Sequence, residues 1–544
     1  MSGTAPVAGR GAQPGAQGTV RRVIAFLLLY VLVDVAAVGV SGLLGRLLET
    51  RPAFLDGSGS LALSLAFALI GLPLALVLWW FVWRRLDGAD RSSVAWGLYL
   101  AAILTTALVT FTVSLLGMFA DLIAGTWSPD RLATGITWLL VWAAHRWMWS
   151  HRTKSPLHLT AVPMVLGAAY GLGVGVSGAV GALAALFGAA IMPVHAQIGT
   201  PWWVIALQSL VWFVGGALVW WWHWARERVL RLRGGFADVA LVLTGILAAG
   251  ALTLFGIGTA LYVGLRAAFD RSAPWDDLLD PLGPALAAAG IGAVVWVYHR
   301  RIARERSTAT RGATRLVEAG LGLIGAASGL GVVINALLAA LSAPLAGSDA
   351  RALLLGGVAA LVVGAPVWWL SWRPGREEDA GAAGRRIYLV AVFGVSAVVA
   401  VVALLTVGYR IFEIMLDTGA GGSLIERIRA PFGLLVATAL VAAYHFAVWR
   451  RDRAALIAEA PRKTIDRVIL IAGESSSPAL EHAVAAATGA TVTRWMRADL
   501  GQPAAETSPE AVATALAGVS AHRVVVITGP GGHIEVIPLA ESAR

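Results

Sequence analysis

Apolar residues run through most of this chain in long unbroken stretches, and the basic residues collect between them. A helix rising 1.5 Å per residue needs about 20 apolar residues to cross about 30 Å of hydrocarbon. Stretches near that length cover 23–44, 61–83, 94–118, 133–150, 159–187, 202–224, 236–264, 282–300, 316–341, 353–372, 387–409 and 432–449. The pattern predicts about twelve membrane-spanning helices. Residues 1–20 hold no apolar run and read as a disordered tail. The run from Val23 exceeds the roughly 7–15 residues of a signal-peptide core and ends in no clear small-residue cleavage site, so it reads as a retained helix.

Charge supports the count. Assigning successive connections to alternate sides puts 26 Lys and Arg on one side, including Arg84, Arg85 and Arg300–Arg306, and 9 on the other, including Arg46, Arg131 and Arg410. A wrong span number would scramble that bias. The positive-inside rule places both termini in the cytoplasm, and an even number of spans requires them on one side. An Arg-, Ala- and Gly-rich composition suits a GC-rich bacterial genome and hence a bacterial plasma (inner) membrane.

The 544 residues are 58% apolar and 14% charged, against about 45–50% and 25% in soluble domains. The natural partner is a lipid bilayer. The net charge of +10 does not argue for nucleic acid, because the basic residues border apolar runs. With no Cys, a disulfide scaffold, zinc–thiolate site, cysteine nucleophile and iron–sulfur cluster are excluded. No motif implies a cofactor.

Every second span ends alike. The endings are LWWFVWRR (78–85), VWAAHRW (141–147), VWWWHWAR (219–226), VWVYHRR (295–301), VWWLSWR (367–373) and VAAYHFAVWRR (441–451). Aligned on Trp-x-x-His, they recur about every 70 residues, with Val82 and Ser371 replacing His in the first and fifth and Ala442 replacing Trp in the sixth. This makes six parallel hairpin repeats, at about 21–91, 92–156, 157–230, 231–310, 311–375 and 384–455. Together they form a transmembrane domain over 21–455. A unit of two spans with a Trp-x-x-His-basic end, seen best beside RRIYLVAVFGVSAVVAVVALLTVGYRIFEIML (385–416), resembles the bacterial membrane family "domain of unknown function 5671". The resemblance implies a multi-pass membrane protein and supplies no catalytic residue.

Trp142, His145, Trp220, His223, Trp296, His299 and His445 read as an interfacial signature, with apolar rings in lipid and polar tips at headgroups or water. The competing readings are a ring of proton-titrating or phosphate-binding histidines and, with less support, a metal site. Gly167, Gly171 and Gly175 in the fifth span, and Gly325 and Gly329 in the ninth, have spacing that lets helix backbones approach. Polar residues inside spans are costly and mark function. Asp34, Asn335 and Gln208 are therefore the transport-pathway candidates. Asp34 leads them, although a protonated or hydrogen-bonded packing role is the favoured reading of it, and interhelical packing is the favoured reading of Asn335.

After about Arg462 the pattern changes. Strands 467–473 and 491–498, helices 478–489 and 509–519, and a hairpin over 523–539 predict a small cytoplasmic α/β domain, 462–544. GESSSP (473–478) reads as a helix cap, or less readily as an anion seat. Ser475, His482 and Glu474 make no triad that spacing supports, so no catalytic or metal residue is assigned and no enzyme is expected. The fold class is an all-α polytopic membrane protein with a C-terminal α/β domain. A transporter or channel is slightly favoured. The alternative is a membrane scaffold or sensor, with 462–544 binding a cytoplasmic protein partner.

Overall fold

The computed structural model describes residues 16–49, 58–86, 88–191, 199–270, 272–342, 348–372, 383–416, 423–459, 465–472, 477–496, 508–517, 519, 521–529 and 532–540. They form two compact units, one through His445 and one from Phe446 onward.

Twelve long helices follow in order: α1 Ala16–Leu48, α2 Gly59–Arg85, α3 Val94–Ile123, α4 Pro129–Ser150, α5 Val162–Ile191 and α6 Trp202–Arg226. The rest are α7 Gly235–Phe269, α8 Leu282–Arg304, α9 Thr308–Ser342, α10 Ser348–Ser371, α11 Ala383–Leu416 and α12 Leu424–Glu459. Eleven are long and apolar enough to cross a membrane. The exception, α4, has 22 residues. It carries Asp130 and Arg131 at one end and His145 and Arg146 at the other, yet packs against α1 and α3. The chain is thus a multi-pass helical membrane protein.

Most helices overrun the apolar stretches, because a backbone started in lipid continues through polar residues at the surface. Residues 16–20 of the expected tail are therefore already helix, and Arg22 on α1 pairs with Asp90. Residues 1–15 lie outside the described set. In α2 the turn Phe67–Gly71 widens to π geometry just before Pro73. Proline lacks an N–H and its ring crowds the carbonyl four residues back, and a wider turn relieves the clash.

The hairpins follow one packing rule. In the first five hairpins the first helix packs against its own second helix, and in the first four also against the second helix of the next hairpin: α1 on α4, α3 on α6, α5 on α8, α7 on α10. The last such pair, α9 and α12, meets at Gly331 and Gly433. Glycine makes the seams possible. A methyl at Gly171, Gly178 or Gly322 would strike the backbone nitrogen of Trp220, Phe213 or Trp368. One at Gly329 would lie 2.5 Å from the Leu361 nitrogen. The close approach expected of the fifth and ninth spans is made within the α5–α6 and α9–α10 hairpins.

The second unit contains β1 Arg467–Ala472, α13 Ser477–Thr488, β2 Thr491–Met496, α14 Pro509–Leu516, β3 Arg523–Thr528 and β4 Ile534–Leu539. Strand order is β2-β1-β3-β4, with β4 alone antiparallel to its neighbour. The registers begin Arg467↔Thr491, Arg467↔Arg523 and Arg523↔Leu539. Val468, Leu470, Val524 and Val526 of the central strands pack with Leu480 and Val484 of α13 and Val512 and Leu516 of α14. Pro538 falls on edge strand β4, where a missing donor is tolerated. The Gly529 N–H donates to the His533 carbonyl and helps close the hairpin. Residues 473–476, with Glu474 and Ser475, lie outside the described set.

Candidate functional site

The four signature histidines are enclosed by protein, where the sequence reading set their tips at headgroups or water. His145, His223, His299 and His445 are buried, His445 completely. Each Nδ1 lies 2.7–2.9 Å from the carbonyl four residues earlier, of Val141, Val219, Val295 and Val441. A carbonyl only accepts, so Nδ1 carries the proton and Nε2 is left as an acceptor. A neighbouring helix covers each ring, where the sequence suggested headgroups.

What faces Nε2 differs. At His145 the Tyr99 phenol of α3 donates at 2.9 Å. At His223 the Glu227 carboxylate is 3.8 Å away, and Gly167 leaves room for the ring. A cavity of about 20 Å3 opens there, lined in part by Trp142, Arg146, His223 and Glu227. A space that size holds one water, and the site supplies a donor in Arg146 and acceptors in the other two. At His299, Gly245 makes room, and a second cavity of about 20 Å3 includes Thr244 and Trp220. At His445 neither Nε2 nor the nearby Tyr388 hydroxyl has a hydrogen-bond partner among the described residues, with the rings 6.0 Å apart.

The Trp residues also point inward for bonding. Trp296 Nε1 donates to Glu318 Oε1 at 3.2 Å. Trp142 stacks at a tilt on Phe111, and Trp220 lies on Trp224 and Tyr298. Neighbouring hairpins are joined by Trp224 donating to the Tyr298 hydroxyl at 2.8 Å and Trp372 to Tyr444 at 3.0 Å. Hairpins one and two are joined by Trp83 stacking on Trp147.

Carboxylates near this tier are paired. Glu227 meets Arg146 at 2.7 Å and Glu318 meets Arg300 at 2.9 Å across hairpins, and Asp238 meets Arg306 at 3.2 Å within the fourth. Asp238 also accepts from Thr310 and the Gly234 N–H. Burial and nearby Arg233 pull the Arg306 guanidinium below its ordinary pKa, against Asp238 and Glu305.

The three pathway candidates are not brought together. Gln208 donates to the Ala120 carbonyl of α3 at 2.9 Å, and Asn335 accepts from Arg429 of α12 at 3.4 Å. Both tie helices. Asp34 on α1 is half-buried and has no hydrogen bond or ion pair among the described residues. Among those residues no group of three His, Cys, Asp or Glu could hold a metal. The sequence reading missed Tyr99 and Tyr388 as neighbours of the histidines. It also missed Glu227, although Glu227 stands four residues after His223, a spacing that places both on one helix face.

The fold and this tier define a multi-pass helical membrane protein built from tandem hairpins. Two stretches, 22–144 and 315–440, match the family described as Domain of unknown function (DUF5671). Each match spans four helices, α1–α4 and α9–α12, and the helices between them repeat the same packing. No curated protein matches the chain, and no solved structure does.

Proposed function

We propose that the chain is a membrane scaffold or sensor of the bacterial inner membrane. In this reading both termini are cytoplasmic, the hairpin array is a rigid platform, and the C-terminal α/β unit engages a protein partner without catalysing a reaction. The observation that carries the reading is the use made of polar and small residues inside the spans. Gln208 and Asn335 bridge helices, and glycines at the α5–α6 and α9–α10 seams bring backbone against backbone. The seams make each hairpin rigid, and the Gln208 and Asn335 bonds tie one hairpin to another, which opposes the rocking of one repeat against the next that alternating access uses. Transport keeps one specific support, the unpaired Asp34.

The chain has no native Cys, so single cysteines test this directly. We would replace Asp34, Gln208 and Asn335 one at a time and apply a charged, water-soluble thiol reagent in membranes. Thr126→Cys and Thr153→Cys, at exposed connections, serve as controls. The scaffold reading expects fast labelling of the controls and none at 34, 208 and 335. Labelling at 34 and 335 that a solute slows would replace it with transport.

A further inference from the structure

Helices α5 and α6 leave an open groove of about 530 Å3 beside their seam, whose lining includes Tyr170, Gly173, Ser177, Gly178, Ser209 and Trp212. It lies part-way along both helices, with Ser209 about 10 Å from the start of α6. Ser177 is central in the 30-residue α5, about 22 Å from either end. On α6, Ser209 and Phe213 lie level with Gly181 and Gly178 of α5.

The groove holds unspent hydrogen-bond donors. Thr112 donates to the Leu108 carbonyl, so the Tyr170 phenol, 2.7 Å from Thr112, donates to it and is occupied. Ser177 and Ser209 make no hydrogen bond with any described residue. Elsewhere in the spans Thr105, Thr244, Thr253 and Ser396 satisfy themselves on the carbonyl four residues back. A hydroxyl left unpaired in hydrocarbon costs several kcal/mol. Ser177 is exposed to the groove and Ser209 half-buried, so a ligand that brings oxygen acceptors into it can pair with both. Phospholipid oxygens sit near the headgroups, about 15 Å from the midplane. Trp212 offers a flat aromatic wall, and nothing lies within 4 Å of a Cβ built on Gly173, so a planar group can approach the backbone there.

We propose that this groove binds the ring of a lipid-soluble quinone. Its two carbonyl oxygens accept from the Ser177 and Ser209 hydroxyls, its ring lies against Trp212 above Gly173, and its isoprenoid tail runs out into lipid. The proposal concerns binding alone and does not depend on the scaffold reading, whose test labels other positions.

The test uses the full chain in phospholipid nanodiscs with a photoreactive azidobenzoquinone bearing a short alkyl tail. Expected are saturable labelling mapped to α5 and α6 and competition by unlabelled decyl benzoquinone. The Ser177→Ala, Ser209→Ala double variant should bind about ten-fold or more weakly, as loss of two hydrogen bonds implies. Gly173→Leu should fill the groove and abolish labelling while leaving the melting temperature unchanged. Non-saturable labelling, adducts mapping elsewhere, full binding by the double variant or by Gly173→Leu, or displacement by added phosphatidylglycerol would each overturn the proposal.

Discussion

Tyr99 and Tyr388 both face a signature histidine, and their surroundings separate them. The Tyr99 hydroxyl satisfies His145 Nε2 at 2.9 Å, whereas the Tyr388 hydroxyl has no partner among the described residues. Tyr99→Phe leaves a buried acceptor unpaired and should cost about 1–3 kcal/mol. Tyr388→Phe removes a buried hydroxyl that bonds no described residue and should stabilise by about 1 kcal/mol or more. Thermal unfolding in one detergent, with both variants side by side, checks the difference. Equal losses would mean that the Tyr99 bond contributes nothing. None of this was legible in the sequence. Trp-x-x-His followed by Arg has the same spacing whether headgroups or a neighbouring helix covers the ring. Covering is decided by the first helix of the same hairpin, 46 to 57 residues away, through Tyr99, Gly167, Gly245 and Tyr388.

At the scale of helices the sequence was far more informative. A run of some 20 apolar residues states its environment without reference to any partner, and all twelve expected spans coincide with helices. The strands were equally readable, because β1 and β3 alternate buried and half-buried residues. Helix ends were less so, since Ala16–Val20 and Asp452–Glu459 are helical outside any apolar stretch. The glycine seams were visible as spacing but not as partners. They give a paired prediction. Gly322→Ala drives a methyl into the Trp368 backbone, which cannot give way as a flexible side chain could, and should destabilise by about 1–3 kcal/mol. Gly290→Ala, where a methyl meets nothing within 4 Å, should stabilise by up to about 1 kcal/mol through helix propensity. Opposite shifts in melting temperature are expected. A loss in both would show that propensity is not the deciding term at Gly290.

For the molecule as a whole, the charge bias predicts sidedness. An impermeant thiol reagent added to intact cells should label Thr126→Cys and spare Thr153→Cys, and lysis should expose the second. The reverse result would invert the topology. The C-terminal unit has its own core around Val468, Leu470, Val524 and Val526. Residues 462–544 expressed alone should therefore give a soluble chain with a cooperative thermal transition by circular dichroism. A broad, non-cooperative melt would show that it needs the membrane unit.

The packing rule also sets a timetable for synthesis. Helix α1 waits for α4, α3 for α6, α5 for α8, α7 for α10 and α9 for α12 before its second face is covered. A ribosome adding about 5–20 residues per second needs several seconds for each hairpin. Each newly inserted first helix therefore spends that interval with one flank against lipid alone. Assembly runs one hairpin behind translation, and a chain cut after any hairpin carries a single unfinished helix at its growing end.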